Sequence, residues 1–198
     1  YKRQIQEEAD SNYQLLSGLS DEVSNEDGLF QTTKARLPWL LIGLLGGVLT
    51  STVISENESE ITLIPQIVFF IPLIAAMGGN VGVQSSAIVV QALANSTLQK
   101  NIWQRLAREL GVGLFNGLIC SLVIVGYSWA IGQGLLFATA VGSSLLAVVL
   151  FASLFGTAIP WILNKYNIDP ALATGPFITT TNDVLGLSIY FAIANALL

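Results

Sequence analysis

The sequence predicts an all-α integral membrane protein with five transmembrane helices per chain, the N-terminus cytoplasmic and the C-terminus outside. Three observations predict it. Of 198 residues, 53% are hydrophobic and only 11% charged, against about 25% charged in an ordinary soluble domain. The charges leave free several stretches long enough to cross a hydrocarbon core of ~30 Å. Threading those stretches as five crossings puts all eight Lys and Arg residues on one side, as the positive-inside rule requires.

Residues 1–35 read as a cytosolic, polar and acidic arm. Residues 1–36 hold Lys2, Arg3, Lys34, Arg36 and seven acids, with helical patterning at best over residues 2–16. A solvated linker is one reading of this arm; a cation-sensing segment is the other, because clustered acids attract divalent ions. Tyr1 stands where a Met would begin a complete chain, so a piece of a longer protein is expected. No basic stretch followed by an apolar one opens it, and no signal peptide is expected.

Residues 36–198 read as a domain of five transmembrane helices. After Arg36 come 19 uncharged residues, the first crossing, and then a short acidic loop at 56–60. A second uncharged run, 61–99, has 39 residues. As one continuous helix it would reach ~58 Å, so a break or an overhang is expected. Crossing once, it returns Lys100, Arg105 and Arg108 to the side of Lys34. The third run, 110–164, suits two helices joined by a turn at Gly132, Gln133 and Gly134. Residues 170–198 form the last span, interrupted in charge only by Asp183.

Two of these spans carry polar groups that a purely structural helix would not need. MGGNVGVQSS, residues 77–86, should weaken its helix at Gly78, Gly79 and Gly82 and offer Asn80, Gln84, Ser85 and Ser86; close helix packing is the alternative. In the last span Asp169 can cap a helix beginning at Pro170, and Gly175 and Pro176 should break it and free carbonyls. Thr179, Thr180, Thr181, Asn182 and Asp183 follow. An intramembrane acid costs ~2.5 to 3.5 kcal/mol at mid-membrane and usually faces a pathway. Counted along helices, Asp183 and Asn80 lie ~21 and ~22 Å from the same face, so the two clusters can meet.

Other features carry less weight. Gly43 with Gly47, and Gly113 with Gly117, read as close-packing pairs. Trp39, Trp103, Trp129 and Trp161 read as an interfacial belt. Glu109 reads as half of a local ion pair with Arg108, and Cys120 as a small buried apolar residue. With no His and one Cys, a disulfide framework, a His-based metal site and a His-based triad are excluded. An aspartyl dyad needs two acids where one is embedded. The chain is therefore expected not to be an enzyme, and no nucleic-acid partner is expected.

The polar inventory of carboxylate, hydroxyl, amide and carbonyl favours a hard cation, Mg²⁺ or Ca²⁺, with Mn²⁺ also admissible. The expected ion-binding set is Asp183, Asn80, Gly79, Thr179 and Thr180. One carboxylate per chain is too few for a cage, so a symmetric homodimer with two Asp183 side chains around one axis is expected.

RLPWLL at 36–41, FFIPLIAAMGGNVGVQSS at 69–86, LAREL at 106–110 and IDPALATGP with TTTNDVLGLSIYF at 168–191 together resemble the MgtE family of magnesium channels. The resemblance covers residues 36–198. It implies a homodimer whose Mg²⁺ pore follows the twofold axis between the second and fifth helices, with the pore carboxylate at Asp183 and the family's GGN segment at Gly78, Gly79 and Asn80. It also implies that full-length members carry cytosolic sensor domains upstream, a helical domain and a pair of CBS domains that are absent here; residues 1–33 look like the end of that connection. A multi-pass location in the cell membrane follows, and a cation-coupled secondary transporter is the alternative to a channel.

Overall fold

In the computed structural model, residues 28–95, 102–173 and 175–198 are described. The expected helical stretch at 2–16, the acidic residues of the arm and Lys100 lie outside them. Helix α1 spans Leu29–Glu56, α2 Glu58–Leu63, α3 Ile71–Ala94, α4 Ile102–Ala130, α5 Leu135–Lys165 and α6 Pro176–Leu197; 3-10 turns at Pro65–Phe70 and Pro170–Ala173 precede α3 and α6. Counting the Pro65–Phe70 turn with α3, five helical segments are long and apolar enough to cross a membrane.

Neighbouring contacts fix the directions. Along α3 and α6, Ile67 of the preceding turn meets Tyr190, and Gly78 and Gly82 meet Asn182, so the two run antiparallel. Gly78 touches Val148 and Gly82 touches Gly156, which makes α3 and α5 parallel. Gly113 against Ser153 and Ser121 bonded to the Gly142 carbonyl make α4 and α5 antiparallel. Helix α5 is the hub, in contact with α3, α4 and α6, whereas α1 leans on α6. The core is a band of Val141, Leu145, Val148, Val149, Leu187, Tyr190 and Phe191, all buried. The outward faces remain apolar, with Leu122, Val123, Phe115 and most of α1 exposed, as lipid contact demands.

Local chemistry explains the joints. Gly132 and Gly134 take φ of 84° and 79°, a region open to glycine, and so let four residues turn α4 back into α5. The acidic segment at 56–60, expected as a loop, is mostly helical: α1 continues to Glu56 and α2 begins at Glu58. Acids in the first turn of α2, Glu58 and Glu60, favour that start through the helix dipole. Helix α1 begins at Leu29, so the helix of the first span extends back into the segment read as a linker.

The main departure concerns residues 77–86. The expected interruption does not occur; α3 is continuous through Gly78, Gly79 and Gly82. Each glycine costs ~1 kcal/mol in a helix interior, and here close packing against α5 and α6 offsets it. A Cβ on Gly82 would lie 2.8 Å from Ile178 Cγ2 and overlap the Asn182 amide, and one on Gly156 would overlap the Gly82 carbonyl. Among the assumed packing pairs, Gly113 and Gly117 do contact Ser153, Leu146 and Val149, but Gly43 and Gly47 touch nothing within 4 Å; the α1 glycine that packs is Gly46, against Thr180.

Candidate metal-ion site

The site lies on the seam between α3 and α6. Helix α6 starts late: Asp169 caps only a 3-10 turn, accepting a 2.8 Å hydrogen bond from the Ala171 N–H, and Gly175 at φ 72° resets the chain so that Pro176 opens the helix. Pro176 lacks an N–H and suits a first-turn position. The Thr179 hydroxyl is 3.2 Å from both the Gly175 and Pro176 carbonyls and can donate to either, an anchor for the first turn.

Helical periodicity then decides which side chain faces where. The buried stripe of α6 is Ile178, Asn182, Gly186 and Tyr190, spaced at four residues as one face of a helix must be. Asp183 stands ~100° round from Asn182, at the edge of that face, and is half-buried. On α3 the stripe is Ile74, Gly78, Gly82 and Ser86. Gly79 borders it on the side of Asp183: a Cβ there would be 3.6 Å from Thr179 Cγ2 and 3.9 Å from Asp183 Oδ1. With only hydrogen at Gly79, the carboxylate stands beside bare backbone. Continuing the same rotation takes Asn80 past the seam to the exposed side of α3.

Gly79, Thr179 and Asp183 are thus together. Asn80 opens outward one position further round, and Thr180 turns instead to α1, where its methyl fills the space left by Gly46. Among the described residues no hydrogen bond or ion pair of the Asp183 carboxylate is found, and nowhere do three His, Cys, Asp or Glu side chains gather to hold a metal. A lone carboxylate of this kind can attract a cation through that cation's waters, and it needs further ligands from outside the chain to hold one.

Two residues named from the sequence take places that it did not give them. Asn182, adjacent to the carboxylate, is 1% exposed, and among the described residues neither its Oδ1 nor its Nδ2 has a partner. The four-residue repeat of Ile178, Asn182 and Gly186 is the signal that could have placed it inward. Glu109 is also buried, and its ion pair is made with Arg105 at 3.9 Å, not with Arg108. Four residues bring two side chains onto one helical face, and one residue does not. Glu109 also accepts a 2.7 Å hydrogen bond from the Ser85 hydroxyl of α3.

Comparison with known proteins bears on this arrangement. The family profile for MgtE, a divalent cation transporter, matches residues 71–193, which include α3 and most of α6. The chain is 36% identical over 96% of its length to the magnesium transporter MgtE of Bacillus subtilis, and 38% identical over 90% to that of Thermus thermophilus. It is 35% identical over 96% of its length to that of Enterococcus faecalis. It spans 40 to 42% of the length of these relatives. With the family profile matching most of the chain and its helices able to span a bilayer five times, this is a multi-pass cell-membrane protein that belongs to the MgtE family of divalent cation transporters.

Proposed function

We propose that this chain is the pore domain of a Mg²⁺ channel, conducting along the α3/α6 seam of a homodimer. The observation that carries the reading is Asp183: a half-buried, unpaired carboxylate inside a span, beside the bare backbone of Gly79. The relatives' description as magnesium transporters supplies the ion. Mg²⁺ releases water reluctantly and prefers octahedral oxygen ligands at ~2.0 to 2.1 Å, so as substrate it passes hydrated. Asp183 attracts it through its waters, with the Gly79 backbone, Asn80 and Thr179 offering further oxygens and Thr180 bracing α6 on α1. Weak, outer-shell attraction lets the ion enter and leave, as conduction requires.

A twofold partner supplies the second carboxylate that a dication calls for. Lys34, Arg36, Arg105, Arg108 and Lys165 lie at the start of α1, the start of α4 and the end of α5, one end of an alternating bundle. The positive-inside rule makes that end cytosolic. Sensor domains upstream in the longer protein would gate the pore from the same side.

Mg²⁺ uptake into liposomes reconstituted with the chain tests the reading. Asp183→Asn keeps size and removes charge; it should reduce flux at least ~10-fold, the outcome for losing one charge-assisted contact of ~1.5 to 3 kcal/mol. Normal conduction by this variant would sink the proposal. The helix break at Gly175 and Pro176 also suits a coupled transporter. Flux that follows the Mg²⁺ gradient and ignores imposed Na⁺ or H⁺ gradients identifies the channel.

A further inference from the structure

The Ser85–Glu109 contact joins two helices that otherwise share no broad face, since α4 packs along α5. Its geometry is directional. The Ser85 hydroxyl donates to Glu109 Oε1 at 2.7 Å, while Arg105 Nη2 stands 3.9 Å from Oε2. Both Ser85 and Glu109 are buried. The remaining contacts of α3 described above are of another kind: Gly78 and Gly82 meet Val148, Ile178, Asn182 and Gly156 through van der Waals contact. Contacts of that kind set the distance between helices and constrain rotation weakly.

We infer that Glu109 is a positioning residue for the ion path: through Ser85 its carboxylate fixes how α3 is turned about its axis, and so how Gly79 and Asn80 are presented beside Asp183. The inference rests on the proposed function of the α3/α6 seam. Ser85 lies ~9 Å along α3 from Gly79 and ~120° round it, off the seam, where a bond acts as a rotational stop. The edge of α3 that meets Asp183 is one residue wide, because Gly78 faces the core and Asn80 faces outward. A turn of α3 by a fraction of one residue therefore changes what the carboxylate sees. Energetics point the same way. Glu109 is buried and Arg105 half-buried, and an ion pair drawn out of water is often no more stabilising than apolar residues of similar size, so holding the pair here is better explained by the geometry it imposes.

The test is Mg²⁺ flux in liposomes, measured against Mg²⁺ concentration and normalised to reconstituted protein, together with the ratio of Mg²⁺ to Ca²⁺ flux. Ser85→Ala and Glu109→Leu should each lower Mg²⁺ flux by about tenfold, the scale of one lost hydrogen bond to a charged group, and should reduce the Mg²⁺ to Ca²⁺ ratio. Glu109→Gln keeps an oxygen that accepts from Ser85 and should retain most of the flux and the ratio. The double variant should be no worse than Glu109→Leu alone, because both changes remove one contact. If Glu109→Leu does not fold, Ser85→Ala and Glu109→Gln decide the matter. Wild-type flux and selectivity in Ser85→Ala, a Glu109→Gln as impaired as Ser85→Ala, or losses that add in the double variant would each overturn the inference. Asp183→Asn is run alongside. If it blocks flux while Ser85→Ala is silent, the positioning role alone fails; if it conducts normally, the reading of the seam fails and this inference with it.

Discussion

Asn182 and Asp183 are neighbours in sequence and meet opposite surroundings. Asn182 points into the space left by Gly82 and is buried, whereas Asp183 reaches the edge of the seam beside Gly79. The amide fills a notch that accepts nothing larger, so it sets how closely α6 approaches α3 beside the carboxylate. Gly82→Ala tests this coupling. The added methyl would overlap the Asn182 amide and approach Ile178, and overpacking of this kind costs ~1 to 3 kcal/mol. The expected outcome is a lower melting temperature in detergent and reduced Mg²⁺ flux. Gly126→Ala, where nothing lies within 4 Å, should leave the melting temperature unchanged or raised, since alanine favours the helix. Equal effects from the two substitutions would show that helix propensity, and not the notch, governs these sites.

At the scale of elements, uncharged stretches and the glycine turn were legible in the sequence because hydrophobic length and turn chemistry are local properties. The break at Gly175 and Pro176 was legible for the same reason, since both act on their own backbone, although the helix expected from Pro170 is only a 3-10 turn. The continuity of α3 was not. Glycine spacing in MGGNVGVQSS is equally compatible with a broken helix and a packed one, and the choice depends on Gly156 and Asn182, which are distant in the sequence. The Ser85 partner of Glu109 was hidden in the same way, because Ser85 belongs to another helix. One long-range contact secures the far end of the seam: the buried Tyr190 hydroxyl of α6 donates to the Ile67 carbonyl at 2.9 Å. Tyr190→Phe retains the ring and leaves that carbonyl without its donor, which should cost ~1 to 3 kcal/mol. The measurement is the melting temperature with Mg²⁺ flux beside it. The expected result is a destabilised protein that still conducts, because the contact lies about two turns from Asp183. A block in flux with unchanged stability would instead place Tyr190 in the ion path.

For the whole molecule the decisive property is the placement of charge relative to the two faces of the membrane. The described basic residues sit at one end of the bundle, and the acids Glu56, Glu58 and Glu60 sit at the other, between α1 and α3. Lys165 lies 5.6 Å from the Trp161 ring centre, a cation against an aromatic at the helix end, an arrangement suited to the interface between headgroups and hydrocarbon. Inverting the bundle would leave these contacts intact while placing Arg105, Arg108 and Lys165 on the outer side, against the rule that sets topology. Single cysteines introduced in a Cys120→Ser background report the orientation. Cysteines at Glu58 and Gln133 should react with an impermeant thiol reagent added outside intact cells, and cysteines at Arg108 and Lys165 should react only after the membrane is opened. Reaction of the Lys165→Cys variant from outside, with Glu58→Cys protected, would reverse the proposed topology.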